Sequence, residues 1–166
     1  NAIIIIKKLI EFKKEYKEDL VSLYMFTQQY DKALECFEDA IRLGRQKFGK
    51  KNEKVADTLY SMGLVYQKLA NFKEAISSYE EALIIRRLKL GPDHLEVAST
   101  LHNMGDVYYM MGELESAMAA YKDAYDFRLG KLGPDDVDVA ATRNNMGVVY
   151  MKKGEHDNAM QCFTDA

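Results

Sequence analysis

Three histidines, two cysteines and a few paired acids are the side chains in this 166-residue sequence best able to do catalysis or bind metal. His94, His102 and His156 are read without a second Cys, His or carboxylate at ligand spacing, so no metal site is expected. The sequence is read as holding no dinucleotide fingerprint, no G-x-x-x-x-G-K phosphate loop and no nucleophile elbow. Glu80-Glu81 and Asp135-Asp136 are expected on surfaces or helix caps, and Met110-Met111 in packing, with no catalytic role. The expectation is a protein that is not an enzyme and needs no cofactor.

The elements that carry these residues repeat. Val55–Glu96 returns at Val97–Asp138 with a period of 42 residues and no gaps, and a third copy runs from Val139 to Ala166. One period upstream, Lys13–Lys54 keeps the apolar skeleton but less of the punctuation. A fixed period of this length marks stacked supersecondary units. The division expected is a helical lead-in at 1–12, which either runs into the next helix or ends an earlier unit, then repeats at 13–54, 55–96, 97–138 and a truncated 139–166. Asn1 is not an initiator Met and Ala166 interrupts a unit, so the chain reads as part of something longer. Cys36 and Cys162 lie three periods apart, too far to bridge, and are expected as reduced thiols in a reducing, cytoplasmic compartment.

Each unit reads as two helices. Val55, Leu59, Met62, Tyr66 and Leu69 mark one helical face, and Phe72, Ile76, Tyr79, Leu83 and Leu90 a second. Ala70-Asn71 is the turn between them, short enough to force the pair antiparallel. Gly91-Pro92 stops the second helix, Asn52 is a cap, and Asp93 and Asp135 are expected to cap the helices that follow. Breaks are expected near 28–30, 49–53, 70–71, 91–93, 112–113, 133–135 and 154–155. Gly63, Gly105 and Gly147 sit mid-helix, where each costs about 0.8–1.0 kcal/mol against Ala. Their recurrence predicts close helix packing, with Ala75, Ala117 and Ala159 at one small site, Ala40, Ala82, Ala124 and Ala166 at another, and Tyr66, Tyr108 and Tyr150 filling space nearby. Arg143 replaces Leu59 and Leu101, which predicts a wet core site there.

The pattern M-G-x-x-Y followed by A-x-x-x-Y/F-x-x-A resembles tetratricopeptide repeats: Met62–Tyr66 then Ala75–Ala82, Met104–Tyr108 then Ala117–Ala124, and Met146–Tyr150 then Ala159–Ala166. The 42-residue period and the linkers KLGPDHLEVA and KLGPDDVDVAATRNNMG are similar to those of the kinesin light chain class. The resemblance implies an all-α superhelix (solenoid) whose inner wall is lined by the first helix of each unit. It places Tyr60, Ser61, Leu64 and Gln67, then His102, Asn103, Asp106 and Tyr109, then Asn144, Asn145, Val148 and Met151 on the concave groove. Asn amides there suit a peptide backbone, and Tyr60 and Tyr109 its side chains.

The function expected is a protein–protein interaction module, an adaptor or scaffold that binds a peptide or protein segment. Two alternatives stay open: a structural spacer in a large assembly, or the interaction domain of a longer enzyme. Hydrophobic content of 48% argues against disorder, and a net charge of −3 gives no case for nucleic acid. The run Ile3–Ile6 is far too short to span a membrane. Charge is uneven: Lys13–Lys54 carries ten basic against eight acidic residues, Val55–Glu96 five against six, and Val97–Asp138 three against eight. Some tetratricopeptide domains grip acidic chaperone tails with a basic residue six places before the glycine. Here those places hold Asp57, Ser99 and Ala141, so a neutral or basic partner is expected.

Overall fold

The computed structural model describes residues 21–164, and the expected lead-in at 1–12 and the start of the first repeat lie outside them. A helical stretch at 21–26 precedes seven helices: α1 (Tyr30–Phe48), α2 (Glu53–Lys68), α3 (Phe72–Leu90), α4 (Leu95–Met111), α5 (Leu114–Leu132), α6 (Val137–Lys153) and α7 (His156–Thr164). No strand occurs among the described residues, and the chain is an all-α solenoid. The breaks between the helices fall within about one or two residues of those expected.

Two turn geometries alternate. Gln28, Ala70, Gly112 and Gly154 stand one period apart and all take left-handed backbone, with φ of 57°, 57°, 79° and 79°. This closes the first helix of each unit and turns the chain straight into the second. Asn52, His94 and Asp136 then open the next first helix, each accepting a hydrogen bond from the amide two residues on. The caps fall one residue after the expected Asp93 and Asp135. Pro92-Asp93 and Pro134-Asp135 are spent on the turn itself, and His94 and Asp136 have the extended backbone an N-cap requires.

Packing runs along the chain. The pairs α2–α3, α4–α5 and α6–α7 pack together, each unit rests on the next, and α2 also touches α4, so successive first helices share a wall. Ala33, Ala75, Ala117 and Ala159 are fully buried, as are Ala82 and Ala124. Ala40, at the same place in the first unit, is exposed.

The mid-helix glycines meet aromatic rings. A Cβ on Gly63 would lie 2.6 Å from the Tyr79 ring, on Gly105 2.7 Å from Tyr121, and on Gly147 2.6 Å from Phe163. The bulk against the glycines therefore comes from the second helix, not from Tyr66, Tyr108 and Tyr150 on the glycines' own helix. Arg143 is half-buried where Leu59 and Leu101 are buried. Its guanidinium lies 5.0 Å from the Tyr125 ring centre and donates to the phenol oxygen. Tyr125 itself stands where Ile41 and Leu83 stand in earlier units, so an apolar pair has become a cation–aromatic pair.

Candidate functional site: the inner wall

Arg86 of α3 and Arg128 of α5 are buried, and each ties one unit to the next. Arg86 Nη1 donates to Thr100 Oγ1 (2.9 Å) and the Glu96 carbonyl (3.2 Å), both on the following helix α4. Its Nη2 donates to Asp57 of its own unit (2.9 Å), and the guanidinium lies 4.5 Å from the Tyr60 ring centre. Arg128 repeats the pattern with Thr142 Oγ1 (2.7 Å) and the Asp138 carbonyl (3.2 Å). Ser99 and His102 replace Asp57 and Tyr60, at 3.5 Å and 3.3 Å. Buried charge is tolerable only with partners of this kind. The sequence signal was available: Arg at 86 and 128 and Thr at 58, 100 and 142 keep the period, whereas Gly44 breaks the Arg series in the first unit.

That seam sets the floor under His102. Arg128 Nη1 faces Nδ1, while Nε2 lies 3.4 Å from the Asn145 amide and 3.9 Å from the Asp106 carboxylate. Burial pushes the imidazole below its ordinary pKa, Arg128 adds to the effect, and Asp106 and Asp138 oppose it. Asp106 stands four residues after His102 on the same helix, so, against expectation, a carboxylate does lie within helical reach of this histidine. Among the described residues no group of three His, Cys, Asp or Glu could hold a metal ion.

Asp106 is fixed from both sides. Its Oδ1 accepts from the Tyr121 hydroxyl at 2.6 Å and from Asn145 Nδ2 at 3.1 Å. Burial, and then the Asp106 hydrogen bond, push the Tyr121 phenol far above its ordinary pKa, so it stays a donor. One unit earlier Tyr79, likewise raised mainly by burial, donates to Gln67 Oε1 at 2.9 Å. Gln67, Asp106, Tyr109, Met110, Tyr121, Asn145 and Val148 line a crevice of about 290 Å³. Lys152 Nζ stands 4.7 Å from the Tyr109 ring centre.

The structure thus gathers Gln67, Asp106, Tyr109, Asn145 and Val148 around one crevice, with His102 hydrogen-bonded behind it. Asn103 instead donates to the Tyr60 hydroxyl at 2.6 Å. The Ser61 hydroxyl is spent on the Asp57 carbonyl of its own helix, and Leu64 packs on the core. Asn144 and Met151 are exposed. A larger cleft of about 500 Å³ lies between α1 and α3 over α2, but Arg42 and Arg45 in it are already paired with Asp39 and Glu81. Gly44–Lys50 has the G-x-x-x-x-G-K spacing of a phosphate loop. Lys51 follows where Ser or Thr is needed, and the stretch ends helix α1 instead of joining a strand to a helix, so it is not one.

Family models of the tetratricopeptide repeat match residues 16–87, 55–130 and 140–166. We found no match to the chain among curated protein sequences. Among solved structures, BtubC (BKLC) from P. vanneervenii superposes with a TM-score of 0.80 at 28% identity, over 86% of this chain and 57% of BtubC. The Podosopora anserina protein described as a kinesin light chain with nearly identical TPR-like repeats gives 0.77 at 16% identity, over 89% of this chain and 70% of that one. MamA gives 0.68 at 20% identity, over 96% of this chain and 81% of its own, and at such identities the likeness is one of fold. The chain spans little more than half of BtubC. No helix of the described residues is long and apolar enough to cross a membrane. The chain belongs to the tetratricopeptide repeat family, and its repeats are similar to those of the kinesin light chain-like class.

Proposed function

We propose that this chain is a non-catalytic adaptor or scaffold module that holds an extended segment of a partner protein against its inner wall. The observation that carries the reading is the crevice between α4 and α6, whose polar groups are pre-positioned by partly buried hydrogen bonds. Such pre-positioning lowers the ordering cost of binding. The groove ligand is neutral or basic. Asp106 stands in the crevice where an acidic tail would need a cation, and no Lys or Arg lines it. The partner is a protein in a reducing, cytoplasmic setting, and the module works within a larger chain or complex.

The spacer alternative draws on Ile84 and Leu88, one turn apart on α3 and 62% and 57% exposed. A titration decides the charge question: an acidic tail peptide against its charge-reversed counterpart, at low and high salt. The charge-reversed peptide is expected to bind more tightly, the more so as salt falls. Tighter binding of the acidic peptide under the same conditions would overturn the reading.

A further inference from the structure

Building on the groove reading, we propose that the crevice beside Asp106 is a receptor for one long cationic side chain, Lys or Arg, and that Lys152 is its resident competitor. At about 290 Å³ the space sits at the lower limit for small-molecule sites and suits a single side chain. Its lining holds one carboxylate, Asp106, and no Lys or Arg. Every hydrogen bond that Asp106 accepts from the described residues falls on Oδ1, which leaves Oδ2 uncommitted on a side chain that is 28% exposed. Tyr121 and Asn145 hold that carboxylate in place before any ligand arrives.

The remaining walls suit the rest of such a side chain. Met110 and Val148 are apolar and can take a methylene stem. The Tyr109 ring offers a π face to the charged head, and that face already attracts a cation, Lys152 Nζ at 4.7 Å. Lys152 is exposed and has no ion-pair partner among the described residues, so a ligand cation displaces it without breaking a salt bridge.

The test is an NMR titration of the ¹⁵N-labelled chain with N-acetyl-lysine amide. The side-chain-acetylated analogue and N-acetyl-glutamate amide serve as controls. The lysine probe is expected to shift the amides of Asp106, Tyr109 and Val148 saturably, and the controls are not. Asp106→Asn is expected to weaken the response about tenfold, the factor for one lost charged contact of moderate strength. Lys152→Gln is expected to tighten it about two- to fivefold, the reach of an exposed cation–π contact. Equal binding of the acetylated probe, or indifference to Asp106→Asn, overturns the proposal. Should Asp106→Asn not fold, the exposed Lys152→Gln decides alone, and no tightening there also overturns it. A library-selected peptide that needs the groove but no cation refutes the cationic receptor and leaves the groove reading standing.

Discussion

Replacing Gly105 by Ala sets two opposing effects against each other. Alanine in mid-helix gains about 0.8–1.0 kcal/mol over glycine. The added Cβ would lie 2.7 Å from Tyr121 Cδ1 and Cε1 and 3.0 Å from Cζ. Carbon atoms prefer about 3.5–4.0 Å, so the ring must retreat by about 1 Å. Tyr121 has little room to do so. It is 2% exposed, its ring packs edge-on at 5.4 Å from His102, and its hydroxyl is anchored to Asp106 at 2.6 Å. Overpacking costs about 1–3 kcal/mol, and a weakened hydrogen bond to a carboxylate adds part of its ~1.5–3 kcal/mol. The net expectation is a loss of about 2–3 kcal/mol, read as a lower urea midpoint at unchanged helical signal. Gly147→Ala is the control, since its ring, Phe163, is 40% exposed and can swing aside. Its change should stay within about 1 kcal/mol of zero. Trimming the ring in a Gly105→Ala, Tyr121→Leu double variant should recover part of the loss as a coupling energy. A Gly105→Ala protein as stable as the parent would refute the packing argument.

Other outcomes follow from the turns, the caps and the buried imidazole. Ala70 has φ of 57° where later units have glycine, so Ala70→Gly should raise stability by about 1 kcal/mol in urea unfolding. Asp136→Ala removes the side-chain cap of α6 and should cost about 1 kcal/mol in the same assay. His102 faces Asp106 on its own helix, Arg128 and Tyr121 on α5, and Asp138, Thr142 and Asn145 on α6. Its folded pKa lies below the ordinary value of 6.5, so the unfolded chain binds more protons between the two values. That stability is whole above about pH 6.5 and is lost as pH falls toward the folded pKa. Urea midpoints at pH 7.5 and 5.5 should show the drop, and His102→Gln should flatten it.

Sequence periodicity carried the fold because two independent signals repeated together. The apolar residues gave the helices, while Gly112, Gly154 and the Gly-Pro linkers gave the breaks. Ala70 and Gln28 hide the same left-handed turn behind residues that do not announce it. The site was less legible. The resemblance to tetratricopeptide repeats placed Gln67, Asp106, Tyr109, Asn145 and Val148 on one wall, but not which of them close a crevice. That depends on side-chain direction: Asn103 and Asn145 occupy the same place in the repeat, yet one donates to Tyr60 and the other to Asp106. The acceptors one unit back differ: Leu64 stands where Asp106 stands, so Asn103 has only the Tyr60 hydroxyl, while Asn145 has the Asp106 carboxylate. Arg86 and Arg128 were overlooked because a charged residue on a second helix reads as surface, although both are buried.

The inner wall itself is best tested by combining Asn103→Ala with Asn145→Ala and measuring binding of a peptide selected from a display library against the intact chain. Arg42→Ala, in the cleft between α1 and α3, is the comparison. A groove module predicts at least about a tenfold loss with the paired Asn variant and none with Arg42→Ala, at unchanged circular dichroism. Binding that survives the paired Asn variant but fails with Arg42→Ala would place the partner elsewhere and contradict the account.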